Sequence, residues 1–566
     1  MKKVCVALGG LALLGLAAQV AVAAPVASAE AMVVYVDCAA AGASGAAEAA
    51  GDGSVRAPLR SLEALNQLVL KAGTQVRFKR GSVCQGTFRP AAGSGGTAAA
   101  PVVVASYGAR GLPRPHIAAG CVPAVVARKD APVAPLISRP EPSAALPYAP
   151  LCQREEGPVR RAAVHLYNTQ FWEIRDLELS NDGLSEAGRV GLLVQLENFG
   201  TGQYYRLSNL YVHHVRGYLQ DEPGRALAYK STGGILFEVT RDSETPEQPG
   251  QPTRFADVRV ENSEVYQVDG IGISNRSAWM CRSGGAPCGD FAPYKGRPEL
   301  LKARAAQIQQ EYTPSTGLVI RNNRVHNVGG DGIIVRTASA PLVEANLVHD
   351  IWLRAPGNSA GVWAINTDDA LFRYNEVYGV RLPQGEKLFD GMAFDADMGT
   401  RNTRIVANFS HDNGGGLVLF CACGQDGLGR QATASGVVVE NNLSLNDRRR
   451  AILLAGLDDA LVSNNLVIGA AGATLLEVHD YPTPDRLTLR SNRFIARGTA
   501  QAALYHPISA SGAGSAFVWQ GNRFSGYGGE VQGLRETLTQ AEIDQLVLRW
   551  MRSSGFRQHA YRALAR

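Results

Sequence analysis

Short apolar runs, punctuated by Asn and Gly at regular intervals, organise the chain from about residue 200 onward. Runs such as "GLVI", "TRIV", "GVVV" and "RLTL" lead up to an Asn, and a second short run follows it. The phrase recurs at Asn323 ("NRVHNV"), Asn346 ("NLVHDI"), Asn375 ("NEVYGV"), Asn408 ("NFSHDN"), Asn442 ("NLSLND"), Asn465 ("NLVIGA"), Asn492 ("NRFIAR") and Asn522 ("NRFSGY"). Asn209 ("NLYVHHV") and Asn262 ("NSEVYQV") fit it as well. A third run often begins at Gly, as in "DGIGI", "DGIIV", "GVWAI", "DGMAF" and "GGLVLF". From Asn346 on, the Asn-to-Asn spacing is 23 to 34 residues, the size of one solenoid unit. Three short strands per unit, with almost no helical periodicity, predict an all-β chain: a right-handed parallel β-helix of about ten coils. The Asn column then has a structural task. A buried amide at each corner can bond the amide of the next coil and satisfy backbone groups that the turn leaves open.

Both ends depart from the repeat. "MVVYVD" predicts a first strand, and "PLRSLEALNQLVLKAG" carries apolar residues at helical spacing. The segment "RETLTQAEIDQLVLRWMRSSGF" is amphipathic and predicts a C-terminal capping helix over the last coil. The expected organisation is a signal peptide at 1–29, an N-terminal cap and first coils at 30–119, β-helix at 120–530, and the capping helix at 531–566. Loop insertions are expected near 120–160 and 276–312, which are rich in Pro, Ala, Gly and charge.

Composition narrows the setting. With 62 Gly in 566 residues and 45% apolar positions, a turn-rich β protein fits better than a helical bundle. A net charge of +5 is no nucleic-acid footprint and tolerates an acidic polymer as ligand. The N-terminal two lysines, apolar core and small-residue sites predict a secretory signal peptide, hence a secreted or periplasmic protein without a membrane span. Eight cysteines remain after it, an even number that favours disulfides over metal ligation. Sequence proximity suggests Cys38–Cys84, Cys121–Cys152 and Cys281–Cys288, leaving Cys421 and Cys423. A monomer is expected, and no residue set is assigned as a metal centre.

The chemistry concentrates in "FDGMAFDADMGTRNTRIVANFSHDNGGG", residues 389–416, which holds Asp390, Asp395, Asp397, His411 and Asp412. Side chains alternate along a strand. Aligning third strands on Gly270, Gly332, Gly361, Gly391 and Gly416 places Ile271/Ile273, Ile333/Val335, Val362/Ala364, Met392/Phe394 and Leu417/Leu419 inward. The opposite parity then projects Asp395 and Asp397 into solvent, about 7 Å apart. It sets Arg336 and Trp363 on the same face from the two preceding coils, with Arg276 further along. An indole to stack on, cations to orient and paired acids suit a sugar polymer. Mutual repulsion would split the acids into a proton donor and a base. Asp395, Asp397, Asp390 and His411 are therefore the candidate catalytic residues, and Arg336, Trp363 and Arg276 the candidate substrate-binding ones. Simpler accounts compete. A recurrent Asp-Gly turn explains Asp269, Asp331 and Asp390, and a stacked corner position explains His326, His349 and His411. Asp395 and Asp397 could instead hold Ca²⁺.

The cap segment ("VVYVD…PLRSLEALNQL…GTQVRFKRGSVCQGTF") together with the Asn-bearing coils resembles the pectin-lyase-like superfamily of secreted right-handed β-helix proteins. The segment around Asp395 is similar to one in bacterial exported proteins of this type. The resemblance implies a carbohydrate ligand and a glycoside hydrolase, polysaccharide lyase or uronate epimerase. "NTD" at Asn366–Asp368 matches only a fragment of the polygalacturonase pattern, and the Asp-Pro-His-Asp signature of alginate epimerases is missing. The expected function is a polysaccharide-degrading glycoside hydrolase. A calcium-assisted lyase or epimerase is the alternative, and a non-catalytic glycan-binding β-helix the second alternative.

Overall fold

The computed structural model describes residues 32–38, 51–121, 159–219, 228–241, 250–285, 299, 303, 311–383, 390–422, 424–425, 431–481, 483–498, 502–507, 517–529 and 531–556. The signal-peptide segment and the cysteines Cys152, Cys288 and Cys423 lie outside them.

Three long parallel sheets wind around one core, with 15, 14 and 11 strands among the described residues. Successive strands of the chain fall on successive sheets. In one coil Arg404–Val406 lies on the first sheet, Phe409–His411 on the second and Gly416–Cys421 on the third. Each strand pairs with its counterparts one coil away, as Arg404–Val406 does with Leu371–Arg373 and with Val438–Glu440. Between the sheets the chain turns at residues with positive φ, such as Asn402, Ala407 and Asp412 in that coil. One-residue corners of this kind keep the coils close to triangular and short. The interior is a stack of apolar layers, among them Val343, Val348, Val362, Phe372, Val377, Phe394, Ile405, Val418 and Phe420.

The Asn ladder is present from Asn323 to Asn522. Asn323 Nδ2 donates to Asn346 Oδ1 at 3.0 Å, Asn346 to Asn375 at 3.0 Å, and Asn375 to Asn408 at 3.0 Å. The chain of bonds continues through Asn442, Asn465, Asn492 and Asn522. Each Nδ2 also donates to a backbone carbonyl of the preceding coil, as Asn375 does to Val343. Asn209 and Asn262 are not rungs of it. They occupy positive-φ corners, and the rung positions in their coils belong to Leu210 and Ser263.

The N-terminal cap consists of strand Val33–Val36, a short helix α1 (Leu62–Asn66) and the Cys38–Cys84 disulfide. Leu62 and Leu65 of α1 point into the end of the core. Cys121, Cys281 and Cys421 are also disulfide-bonded. At the other end helix α2 (Gln540–Ser553) starts with a capping box between Thr539 and Glu542. It does not lie across the last coil. Its Ile543 and Trp550 pack on the outer face of the second sheet against Phe409, Leu445, Leu466 and Ile468, and Trp550 Nε1 donates to Asn441 O at 2.7 Å. That face carries apolar outward residues over several coils, which the apolar stripe of the amphipathic helix covers.

Candidate functional site

Asp395 lies in strand Met392–Ala396 of the third sheet, with Asp390 just before that strand and Asp397 just after it, whereas Asp412 is a corner beyond the second-sheet strand Phe409–His411. Asp395 is paired in register with Trp363 of the preceding coil, and Trp363 with Ile334 before it. Arg336 pairs with Ile365, which places it in the outward row that Asp397 continues. So Asp395, Asp397, Arg336 and Trp363 share one wall, as the alternation predicts.

Two parts of the prediction differ, the register and the solvent exposure. Val362 pairs with Phe394 rather than with Met392, a slip of two residues that keeps the face. Gly416 pairs with Met392 rather than with Gly391, a slip of one residue. A one-residue shift exchanges the faces. Val418 and Phe420 therefore enter the core, and Leu419 turns outward into a buried external cluster with Met392, Cys421, Leu453 and Ala455. Ile271 likewise packs outside, against Ile334, Ala360 and Trp363. Second, the acids are not solvated. Asp395 is 4% exposed and Asp390 and Asp397 9% each, because these apolar side chains and a lysine from another segment close around them.

That lysine is Lys230, from the turn Ala228–Ser231. Its Nζ lies 3.1 Å from Asp331 Oδ2, donates to Asn358 O at 3.2 Å, and stands 4.5 Å from the centre of the Trp363 ring. Asp331 is fully buried; its Oδ1 accepts from Trp363 Nε1 at 2.9 Å and from Ala360 N at 3.1 Å. Trp363 is thus held by Asp331 and covered by Lys230, with the Arg336 guanidinium 5.7 Å from its ring, and at 5% exposure it is no open stacking platform. Arg450, completely buried, donates from Nη2 to the Asp390 carbonyl at 3.2 Å and faces Glu477 at 3.5 Å. Arg449 in turn holds Glu477 with two 2.9 Å bonds. Arg276 sits one coil before Arg336 with its side chain 40% exposed and lies 3.4 Å from Glu238.

These environments separate the carboxyl groups. Burial pushes Asp390 up to about 7; Lys230 opposes this, and Asp397 and Asp331 reinforce it. Burial raises Asp397 only to about 6, because the Met398 N–H donates to its Oδ1 at 2.6 Å and the Lys230 and Arg336 charges favour the anion. Asp395 is raised well above the usual carboxyl range by burial and then by Asp397 and Asp390. Its Oδ1 has no hydrogen-bond partner among the described residues. Arg336 is lowered to about 10, by burial first and then by Arg276, and its Nε and Nη2 also lack partners there. For Lys230 burial acts downward, yet Asp331, Tyr229 and Asp390 raise it overall. The wall therefore sets three carboxyls, each held above its ordinary range by burial, beside the Lys230 and Arg336 cations in one dry patch.

His411 is not part of it. It belongs to the second sheet, in a column where Tyr266, His326, His349, Tyr378 and His411 stack ring on ring at 4.6–5.4 Å. Its Nδ1 meets Asp412 at 2.8 Å and its Nε2 meets Glu376 at 3.2 Å, so the residue is stacked as expected but lies in the strand Phe409–His411, with the corner at Asp412. Asp269 is tied to Arg354 at 2.7 Å, and Asp368 of "NTD" to Arg282 at 2.7 Å. Both are structural anchors. Lys230 could not be found from the repeat, since its turn lies in no coil. Asp331 could have been, because it precedes the strand whose neighbour supplies Trp363.

Comparisons with known proteins agree with this architecture. The family described as "Right handed beta helix region" matches residues 307–495. A lacto-N-biosidase of Bifidobacterium longum subsp. longum is 27% identical over 283 residues, 47% of this chain but 16% of that protein, so the match spans a small part of the curated relative's length. The native crystal structure of GH136 lacto-N-biosidase from Eubacterium ramulus aligns with a TM-score of 0.56 at 25% identity, over 84% of this chain and 68% of that one. Its selenomethionine form gives the same score and identity over 81% and 67%. Sheet topology, Asn ladder and these similarities together identify the chain as a right-handed parallel β-helix protein, the fold of the pectin-lyase-like superfamily that its sequence resembles.

Proposed function

We propose that the protein is a glycoside hydrolase acting on an oligosaccharide or polysaccharide, with Asp390 as the proton donor and Asp397 as the nucleophile or base. The observation that carries this reading is the division of labour between two buried carboxyls on one wall. Glycosidic cleavage needs one acid that keeps its proton near neutral pH and one that gives it up. Asp390, pushed up to about 7, meets the first need. Asp397, steadied by the Met398 N–H and by two cations, meets the second. Asp395, raised by burial and then by Asp397 and Asp390, would keep its proton and donate a hydrogen bond to a sugar hydroxyl. Trp363 acts through Lys230 and Asp331 as a positioning residue, and Arg276 and Arg336 supply polar contacts. Similarity to two lacto-N-biosidases favours an oligosaccharide substrate.

Incubation with aryl glycosides, lacto-N-biose-terminated oligosaccharides and plant, algal and bacterial polysaccharides, with product identification, tests the reading. New reducing ends from the parent, and at least a thousandfold loss in D390N and D397N of native fold, are expected. Glycan binding without any product would make the protein a binding β-helix instead.

A lyase is the second reading, favoured by the unpartnered Arg336 N–H groups, which could bind the carboxylate of a uronate substrate while the Asp397 carboxylate takes its C5 proton. In that case Ca²⁺ between the carboxylates would neutralise the substrate acid group. Unsaturated, ultraviolet-absorbing ends and loss of activity with chelator would establish it.

A further inference from the structure

On the outer face of the second sheet, far along the helix from the acids, three successive coils bring His116, Glu178 and His213 together. We propose that these residues form a binding site for a late first-row divalent cation, with zinc the best fit. The argument is geometric and does not depend on the glycosidase reading. One ligand atom from each residue lies within 4.8 Å of the other two. Glu178 Oε1 is 2.9 Å from His213 Nε2 and 4.0 Å from His116 Nδ1. Tetrahedral zinc with bonds of about 2.0–2.2 Å needs donor–donor edges of roughly 3.4 Å. Small rotamer changes take the observed edges to that value.

The surroundings also suit a metal. His116 Nε2 lies 2.8 Å from Ser180 Oγ, a bond that orients the ring and leaves Nδ1 for the ion. His213 Nδ1 lies 2.7 Å from His214 Nδ1, which fixes that ring and leaves Nε2 aimed at Glu178. Partners on the second ring nitrogen are what metal-binding histidines characteristically have. The Tyr211 and Tyr266 rings, 4.7 and 5.2 Å from His213, wall one side. Glu178 keeps its side chain 24% exposed, which provides an entry path and an open fourth position for water. Two imidazoles and one carboxylate select zinc, copper or nickel over calcium or magnesium. A bound ion would bridge three coils near the N-terminal end and staple them together.

The test uses the untagged full chain dialysed against chelator and titrated with Co²⁺, followed by Zn²⁺. One equivalent of Co²⁺ producing visible d–d bands that Zn²⁺ displaces is the expected result. E178Q and H116Q should lower the affinity at least tenfold, and Zn²⁺ should raise the melting temperature of the parent but not of E178Q. D395N should bind as the parent does. E178Q retains a hydrogen-bond acceptor for His213, so its apo form is expected to melt close to the parent. Absence of Co²⁺ bands in the parent, or parent-like affinity in both variants, overturns the site.

Discussion

Asp390→Asn separates the catalytic from the structural consequences of burying an acid. Asp390 has an ordinary carboxyl value of 3.8 when unfolded and about 7 when folded. Between those values the native state holds a proton that the unfolded chain has released, so stability must fall as pH rises through this window. The roughly three-unit difference corresponds to a cost on the order of 4 kcal/mol that is complete above pH 7. An amide never ionises and escapes it. D390N should therefore be more stable than the parent at pH 8, and its advantage should grow by about 2 kcal/mol between pH 5 and pH 7. Chemical denaturation at pH 5, 6, 7 and 8 reads this directly. On the catalytic side, the parent should show a bell-shaped kcat/KM profile. Its rising limb reports ionisation of Asp397 near 6 and its falling limb loss of the Asp390 proton near 7. D390N should lose turnover of native glycosides. An advantage that does not change between pH 5 and pH 8 would refute the buried-acid argument, whatever the activity.

Asn375→Ala removes a rung that accepts from Asn346 and donates to Asn408 Oδ1 and Val343 O; the buried groups left without partners should cost on the order of 4 kcal/mol in denaturant titration. His411→Gln should destabilise while changing kcat/KM less than about threefold. For this imidazole burial acts downward, but Asp412 and Glu376 raise it above its ordinary 6.5, so its contribution is full below that value and fades as pH rises past it. The stability gap between parent and H411Q should therefore be larger at pH 6 than at pH 9, and an equal gap would count against the ion-paired stack. Cys38→Ser with Cys84→Ser opens a loop with a sequence separation of 46; the loss should be about 4 kcal/mol by the loop-entropy relation, measured as a shift in the denaturation midpoint.

The acidic segment at 389–416 illustrates how far one-dimensional pattern carries. Strand alternation alone assigned Asp395 and Asp397 to the wall of Arg336 and Trp363, because side-chain parity is a local property of extended backbone. It did not reveal that Leu419 turns outward, since the pairing of Gly416 with Met392 is set between coils and not within one. Nor did it show that Trp363 is roofed by Lys230, whose turn is separated from it by more than a hundred positions. His411 shares a short segment with the acids yet lies on another sheet, because a corner at Ala407 and another at Asp412 divide that segment among three directions.

By itself, the order of residues determined the solenoid, its Asn ladder and the strand parity that sets Asp395, Asp397, Arg336 and Trp363 on one wall, all consequences of short-range periodicity repeated coil after coil. The winding of the chain decided which distant groups share a dry pocket, and so which carboxyl holds its proton. It also decided where the C-terminal helix docks and which imidazoles converge on one carboxylate. Burial and charge proximity depend on distances in space, and in a stacked fold the nearest neighbours of a residue are those one full coil away.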